Sequence, residues 1–232
     1  MGIILSGLIL ILTGIILIIK PKKRTIILFV LTGFLFLFKS VEYTLYGLNL
    51  EVSKIPVEYS TITYFLFSIS VLFDLKKVKP IASFMAFLSG LGYLIAFIFL
   101  ANSYIEVQGM YITMMALINH SILFMGSMII LTTERFSYKN KRSIIIFTVI
   151  YLIYIFVIHH MISFDNKFIF IFMLLDGNLL SYFVNESALT SIDYLVYFLL
   201  LMIFYQAIIH LILWMNIKLT RRKGSITYEH TV

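Results

Sequence analysis

The chain has 232 residues, of which 61% are hydrophobic, 16% aromatic and only 12% charged, with a formal net charge of +7 and a mean hydropathy of +1.02. A soluble domain carries about a quarter charged residues, so this composition excludes a soluble globular protein. Abundant Phe, Ile and Leu also exclude a disordered chain, and the absence of cysteine excludes disulfides and thiolate chemistry. The composition predicts a polytopic membrane protein.

Seven apolar stretches come close to the roughly 20 residues that a spanning helix needs. They are Ile3–Ile19, Thr25–Leu48, Pro56–Phe73, Ile81–Ala101, Met110–Thr132, Ser143–Met161 and Leu189–Met215. Short connections join them, so we expect one all-α bundle of seven transmembrane helices over residues 1–217, followed by a cytoplasmic basic tail over 218–232. The first stretch lacks a charged leader and a cleavage site, so it is expected to be a retained span and not a signal peptide.

Lysine and arginine are concentrated in alternate connections. Residues 20–24, 76–79, 135–142 and 218–223 hold 15 of the 18 basic residues. The positive-inside rule places these connections in the cytoplasm, which predicts an outside N-terminus and a cytoplasmic C-terminus. The positive charge is then a topology signal, and nucleic acid is not an expected partner. Richness in Ile, Phe, Lys and Asn is typical of an AT-rich bacterial genome, so the expected location is a bacterial cell membrane.

One apolar segment does not fit a simple span. Phe168–Val184 is interrupted by Asp176, Gly177 and Asn178, and each half is too short to cross. A crossing here would also break the alternation of charge. We therefore predict an outer re-entrant or interfacial segment before the last span, since irregular backbone at membrane depth needs protein or water to satisfy it.

Polar side chains recur at one depth in four spans. Measured from the cytoplasmic charge that ends each helix, Lys39 and His120 lie about 22 Å away, Ser60 about 21 Å and His159 about 25 Å. Ionisable groups inside a span usually face the bundle interior and mark function. The coincidence predicts a polar site in the outer half of the membrane.

Each of these groups also has a structural alternative. Lys39 and Glu42 are three residues apart on one helix face and can simply neutralise each other. Asn119 and His120 can serve as interhelical hydrogen-bond partners, and hydroxyl residues are common in spans as packing residues. The coincidence in depth is therefore more informative than any single residue.

Metal and cofactor motifs are absent from the sequence. There is no HExxH motif and no glycine-rich phosphate loop. Adjacent His159 and His160 point about 100° apart around a helix, so no zinc site and no other cofactor is expected. The small-residue run Ser89–Gly92 indicates close helix packing.

Three stretches carry a resemblance to membrane families. Residues 55–77 (IPVEYSTITYFLFSISVLFDLKK) resemble a span of the YwaF-like integral membrane family. Residues 117–131 (LINHSILFMGSMIIL) resemble that family's histidine-bearing span and the Asn-His span of the androgen-induced membrane hydrolases, which cleave fatty acid esters of hydroxy fatty acids. Residues 149–164 (VIYLIYIFVIHHMISF) resemble the His-His span of those hydrolases. Membrane phospholipid acyltransferases belong to the same superfamily, and the resemblance covers roughly residues 40–215.

The resemblance implies that His120 is a catalytic histidine. Ser60 stands where the YwaF-like and acyltransferase members have cysteine, near the threonine nucleophile of the hydrolases. Glu58 stands where the YwaF-like motif has histidine. Both positions depart from the family pattern, and Thr61 and Thr63 are alternative nucleophiles.

The expected function is a membrane-embedded acyl hydrolase or transacylase that acts on lipid esters in the outer leaflet. His120 would accept the proton of a Ser60 hydroxyl, and Glu58 or His159 would orient the imidazole. Lys39 would stabilise the oxyanion. Further residues expected to contact substrate are Glu42, Thr61, Thr63 and Asn119. Membrane lipids are the expected partners.

An alternative function is a non-enzymatic seven-helix binder. The same polar residues would then form a buried, proton-linked pocket in a sensor, an immunity factor or a small-solute carrier.

Overall fold

The computed structural model describes residues 1–51, 54–161 and 190–226, with side-chain environments up to Thr220. The regular structure of these residues is entirely helical. The helices are α1 (Gly2–Ile18), α2 (Pro21–Leu48), α3 (Tyr59–Leu72), α4 (Lys79–Gln108), α5 (Met110–Thr133), α6 (Asn140–Met161) and α7 (Ser191–Ile226). Five of them, α2 and α4 to α7, are long and apolar enough to cross a membrane by length and composition. The chain is therefore a multi-pass membrane protein.

Helix ends follow the local sequence at several points. Proline stands in the first turn of α2 and of α4, where its missing N–H costs nothing. Between α4 and α5 the chain reverses at Gly109, whose φ of 84° lies in the left-handed region that glycine enters without strain. Helix α7 runs to Ile226, so the first residues of the predicted basic tail continue the helix. The predicted re-entrant segment Phe168–Val184 lies outside the described residues.

Helix α3 is shorter than the predicted span. It begins at Tyr59 and has 14 residues, or about 21 Å. Pro56 disfavours helical backbone at Ile55, and residues 55–58 lie outside the helix. The carbonyl oxygen of Val57 accepts a hydrogen bond from Tyr151 at 2.8 Å, and that of Pro56 accepts one from Tyr154 at 3.2 Å. Non-helical backbone in this apolar segment is thus satisfied by tyrosines of α6, as low-dielectric surroundings require.

Helix α5 is the central helix of the bundle. In its most apolar stretch 72% of the residues are buried, against 11% to 39% in the other four long helices, and it contacts α1, α2, α3, α4 and α7. A Cβ atom added to Gly90 of α4 would lie 2.6 Å from the backbone nitrogen of Phe124 and 2.8 Å from the carbonyl oxygen of His120. Gly90 therefore sets the close approach of α4 to α5 at the level of the histidine.

Candidate functional site

The site centres on the imidazole of His120, which is 8% exposed. Tyr93 of α4 stacks parallel to it, with ring centroids 4.2 Å apart and an interplanar angle of 2°. Tyr64 of α3 meets it edge-on at 5.6 Å. Aromatic side chains of two neighbouring helices therefore hold the ring in place.

Hydrogen bonding distinguishes the two ring nitrogens of His120. Its Nδ1 atom lies 3.1 Å from the carbonyl oxygen of Ser89 and 3.3 Å from the Ser89 hydroxyl. A carbonyl oxygen can only accept, so Nδ1 carries the hydrogen in this bond. In the neutral ring Nε2 then holds the lone pair, and no residue of the described chain is hydrogen-bonded to it. The arrangement makes Nε2 the basic atom of the site.

An ion pair on α2 lies on the other side of Tyr64. Lys39 is 8% exposed, and its Nζ atom lies 2.6 Å from Oε2 of Glu42 and 4.7 Å from the centroid of the Tyr64 ring. The hydroxyl of Tyr46 donates to Oε1 of Glu42 at 3.4 Å. The predicted i, i+3 pair is therefore formed, and the Tyr64 ring contacts both the ammonium of Lys39 and the imidazole of His120.

The three hydroxyls predicted on α3 have different surroundings. Ser60 is half-buried and interacts with the hydroxyl of Tyr64, one turn further along the helix. Thr61 accepts a hydrogen bond from Tyr43 at 3.3 Å. Thr63 is fully buried and donates to the backbone carbonyl four residues earlier at 2.6 Å. Ser60 is thus the hydroxyl that shares a contact residue, Tyr64, with His120.

Glu58, His159 and Asn119, the remaining predicted residues, each have different surroundings. Glu58 immediately precedes α3 and is close enough to Tyr43 and Tyr151 to act on them electrostatically. His159 is half-buried on α6, and its ring lies 5.9 Å from that of His160. Asn119 is 2% exposed, and its Oδ1 atom has no hydrogen-bond partner among the described residues.

Within the described part of the chain, the Nδ1 atom of His120 is hydrogen-bonded to Ser89, so this serine orients the ring. The orienting roles expected of Glu58 and His159 stay predictions.

Sequence reasoning missed Ser89 and Tyr93. The run Ser89–Gly92 was predicted to pack closely against another helix, and Gly90 does so. Ser89 and Tyr93 are four residues apart and therefore share a face of α4. The available signal was a serine and a tyrosine on one helix face, next to a glycine that was expected to pack closely. It did not specify which residue of another helix would lie opposite.

No three His, Cys, Asp or Glu side chains cluster in the part of the chain that the structure describes. Comparison with known proteins finds no matching family model, no matching curated protein and no matching solved structure. The resemblance to the YwaF-like family stays a prediction based on its short motifs, and the function must be argued from the geometry of the site.

Proposed function

We propose that the chain crosses a bacterial cell membrane seven times, with its N-terminus outside and its C-terminus in the cytoplasm. Five long helices supply five crossings. Helices α1 and α3 have 17 and 14 residues, or about 25 Å and 21 Å, and the non-helical residues before α3 lengthen its path. The placement of 15 of the 18 basic residues in alternate connections supports the orientation.

The lack of cysteine makes this topology directly testable. Single-cysteine variants Lys54→Cys and Ser137→Cys place a thiol in a proposed outer and a proposed inner connection. In intact cells a membrane-impermeant maleimide should label the first and not the second. Labelling of Ser137→Cys in intact cells would contradict the orientation.

We further propose that the protein is an acyl hydrolase or transacylase of outer-leaflet lipid esters, within the superfamily that its motifs resemble. The observation that carries the proposal is the hydrogen bonding of His120, whose Nδ1 is held by Ser89 and whose Nε2 is left as the base. A hydroxyl needs such a base to become a nucleophile at neutral pH.

In the proposed reaction Nε2 of His120 takes the proton of the Ser60 hydroxyl while its oxygen attacks the ester carbonyl. The acyl group is transferred to Ser60, and His120 returns the proton to the leaving alcohol. Water or a second alcohol then removes the acyl group by the same steps in reverse. Ser89 keeps the ring oriented, and Lys39, already 2.6 Å from Glu42, supplies positive charge near the developing oxyanion.

The depth of the site limits the acyl donor. His120 lies about 22 Å from the basic end of its helix, in the half of the membrane remote from cytosolic acyl-CoA. The donor is therefore expected to be a phospholipid, glycolipid or lipoprotein of the outer leaflet.

A fluorophosphonate probe tests this chemistry because it reacts with activated serine hydroxyls. Labelling of the wild-type protein should be lost in Ser60→Ala and slowed by about 100-fold in His120→Gln, the usual contribution of a general base. Ser70→Ala is the matched control, since that buried hydroxyl on the same helix donates to the carbonyl of Phe67. Full labelling of Ser60→Ala, Thr61→Val and Thr63→Val would refute a nucleophile at this end of α3.

The non-enzymatic binder remains the second candidate, and two observations favour it. The charge of Lys39 is already neutralised by Glu42, and the His120 ring is enclosed by Tyr64 and Tyr93. Such a cluster can bind a ligand or a proton without any covalent reaction. A wild-type protein that is never labelled, and whose thermal stability falls in His120→Ala, would support the binder.

A further inference from the structure

The first turn of α2 holds a buried guanidinium that is only partly hydrogen-bonded. Arg24 is 5% exposed, and its Nε and Nη1 atoms are buried and have no hydrogen-bond partner in the described part of the chain. Arginine stays charged under all physiological conditions, and a buried charge without a counter-charge is strongly unfavourable. An anion beside Arg24 would remove this penalty.

The side chain belongs to the face of α2 that packs into the bundle. The buried residues of this helix are Arg24, Leu28, Thr32, Leu35 and Lys39, and their spacings of three and four place them on one side. Leu28 lies 3.3 Å from the position of a Cβ atom on Gly126 of α5. Arg24, one turn earlier, therefore starts the stripe that faces α5.

The first turn of α2 is positively charged throughout. Lys20, Lys22 and Lys23 are exposed beside Arg24, and no described salt bridge involves any of these four residues. The helix begins without a side-chain cap and without an acidic residue in its first turn. The N-terminal end of a helix carries partial positive charge and binds phosphate readily, so the unpaired guanidinium and the helix end favour the same ligand.

The length of α2 places this turn at the membrane surface. Its 28 residues extend about 42 Å, which exceeds the roughly 30 Å of the hydrocarbon core. We propose that Arg24 and the first turn of α2 bind the phosphate group of an anionic phospholipid headgroup. The proposal does not depend on any reaction at His120.

A thermal-unfolding titration tests the site with the full chain, purified in detergent and freed of phospholipid. The probes are dioleoyl phosphatidylglycerol, glycerol 3-phosphate and inorganic phosphate, and native mass spectrometry counts the lipids bound. Arg24→Gln should weaken phosphatidylglycerol binding by about 30-fold or more, because it removes a desolvated charged partner. Arg142→Gln is the matched control, since this exposed arginine also lies in the first turn of a helix, and its loss should stay within about fivefold.

The sign of the stability change gives a second readout. Without any anion, Arg24→Gln should unfold at the same or a higher temperature than the wild type, because it removes an unpaired buried charge. With phosphatidylglycerol the order should reverse. Should Arg24→Gln not fold in detergent, Arg24→Lys takes its place, and it should bind the lipid more weakly than the wild type.

Several outcomes would overturn the proposal. Equal losses in the Arg24 and Arg142 variants would indicate general attraction to a basic surface. Unchanged lipid affinity in the Arg24 variant would assign the side chain a purely structural role. A response to glycerol 3-phosphate and inorganic phosphate as large as that to the lipid would overturn the headgroup assignment.

Discussion

Two buried cations, Lys79 and Arg24, lie in the first turns of helices that have a proline in the same turn. Lys79 of α4 is 7% exposed and Arg24 of α2 is 5% exposed. Nζ of Lys79 lies 2.5 Å from Asp74 and 2.7 Å from Glu134, whereas two buried nitrogens of Arg24 have no hydrogen-bond partner among the described residues. The buried cation in the first turn of α4 is thus neutralised by two carboxylates, whereas the buried cation in the first turn of α2 has no described counter-charge.

The Lys79 region joins three helices. Asn216 of α7 is fully buried, donates to the carbonyl oxygens of Leu131 and Glu134 at 2.8 Å and 2.7 Å, and accepts from the backbone of Phe136 at 2.8 Å. The hydrogen bond from Lys79 holds the pKa of Asp74 below its ordinary value. These contacts hold the end of α5 against α4 and α7, so Lys79 and its two acidic partners act as a structural lock, whereas no described salt bridge neutralises Arg24.

Removing the two carboxylates that neutralise Lys79 should leave this lysine without a counter-charge, as Arg24 is. We expect this change to have the largest effect on the stability of the protein. The double variant Asp74→Asn with Glu134→Gln leaves a buried ammonium without a counter-charge. The free energy of unfolding should fall by more than in any variant considered below, although the exposure of both carboxylates keeps the loss smaller than that of a fully buried pair. Denaturant unfolding in detergent measures the change. Glu106→Gln, at an exposed acid near the end of α4, is the control and should change the free energy of unfolding by less than about 0.5 kcal/mol. Equal losses of stability in the double variant and in the control would contradict a structural role for the Lys79 ion pairs.

The converse experiment is to introduce a carboxylate side chain next to Arg24. Lys20→Glu places a carboxylate one turn before Arg24 and at the positive end of α2. It should raise the free energy of unfolding in lipid-free detergent by about 0.5 kcal/mol and reduce the response to phosphatidylglycerol. Lys22→Glu makes the same charge change two residues from Arg24, where side chains do not face each other. A larger gain in Lys22→Glu than in Lys20→Glu would argue against a local partner for Arg24.

The pH dependence of the lock should be the smallest effect. Because the pKa of Asp74 is lowered in the folded protein, its stabilising contribution is present above the unfolded-state pKa of about 3.9 and is lost as the pH falls through the lowered folded value. The stability difference between the wild type and Lys79→Met should therefore be constant near pH 6 and shrink below about pH 4. Thermal unfolding at matched ionic strength measures this difference. A stability difference that grows as the pH falls would contradict the assignment of Asp74 as a stabilising partner of Lys79.

The sequence predicted features that depend on neighbouring residues of one helix. Long apolar runs predicted the membrane helices, because each span must satisfy its own backbone in lipid. The three-residue spacing of Lys39 and Glu42 anticipated their ion pair, since such residues share a helix face.

Features that depend on contacts between helices were not predicted. The late start of α3 is stabilised by hydroxyls on Tyr151 and Tyr154, 94 and 98 residues away from the carbonyls that they bind. The partner of His120 is Ser89, 31 residues away on another helix. No local pattern marks Arg24 as different from the lysines around it.

The amino-acid sequence alone determined that this protein crosses a membrane repeatedly as helices, because the free energy of placing apolar side chains and backbone in lipid depends on each segment separately. Only the tertiary structure decided which nitrogen of His120 is basic and which buried cation lacks a partner. Both depend on packing between helices: Gly90 lets α4 approach α5 closely, and Gly126 of α5 lies against Phe67 of α3 and Leu28 of α2.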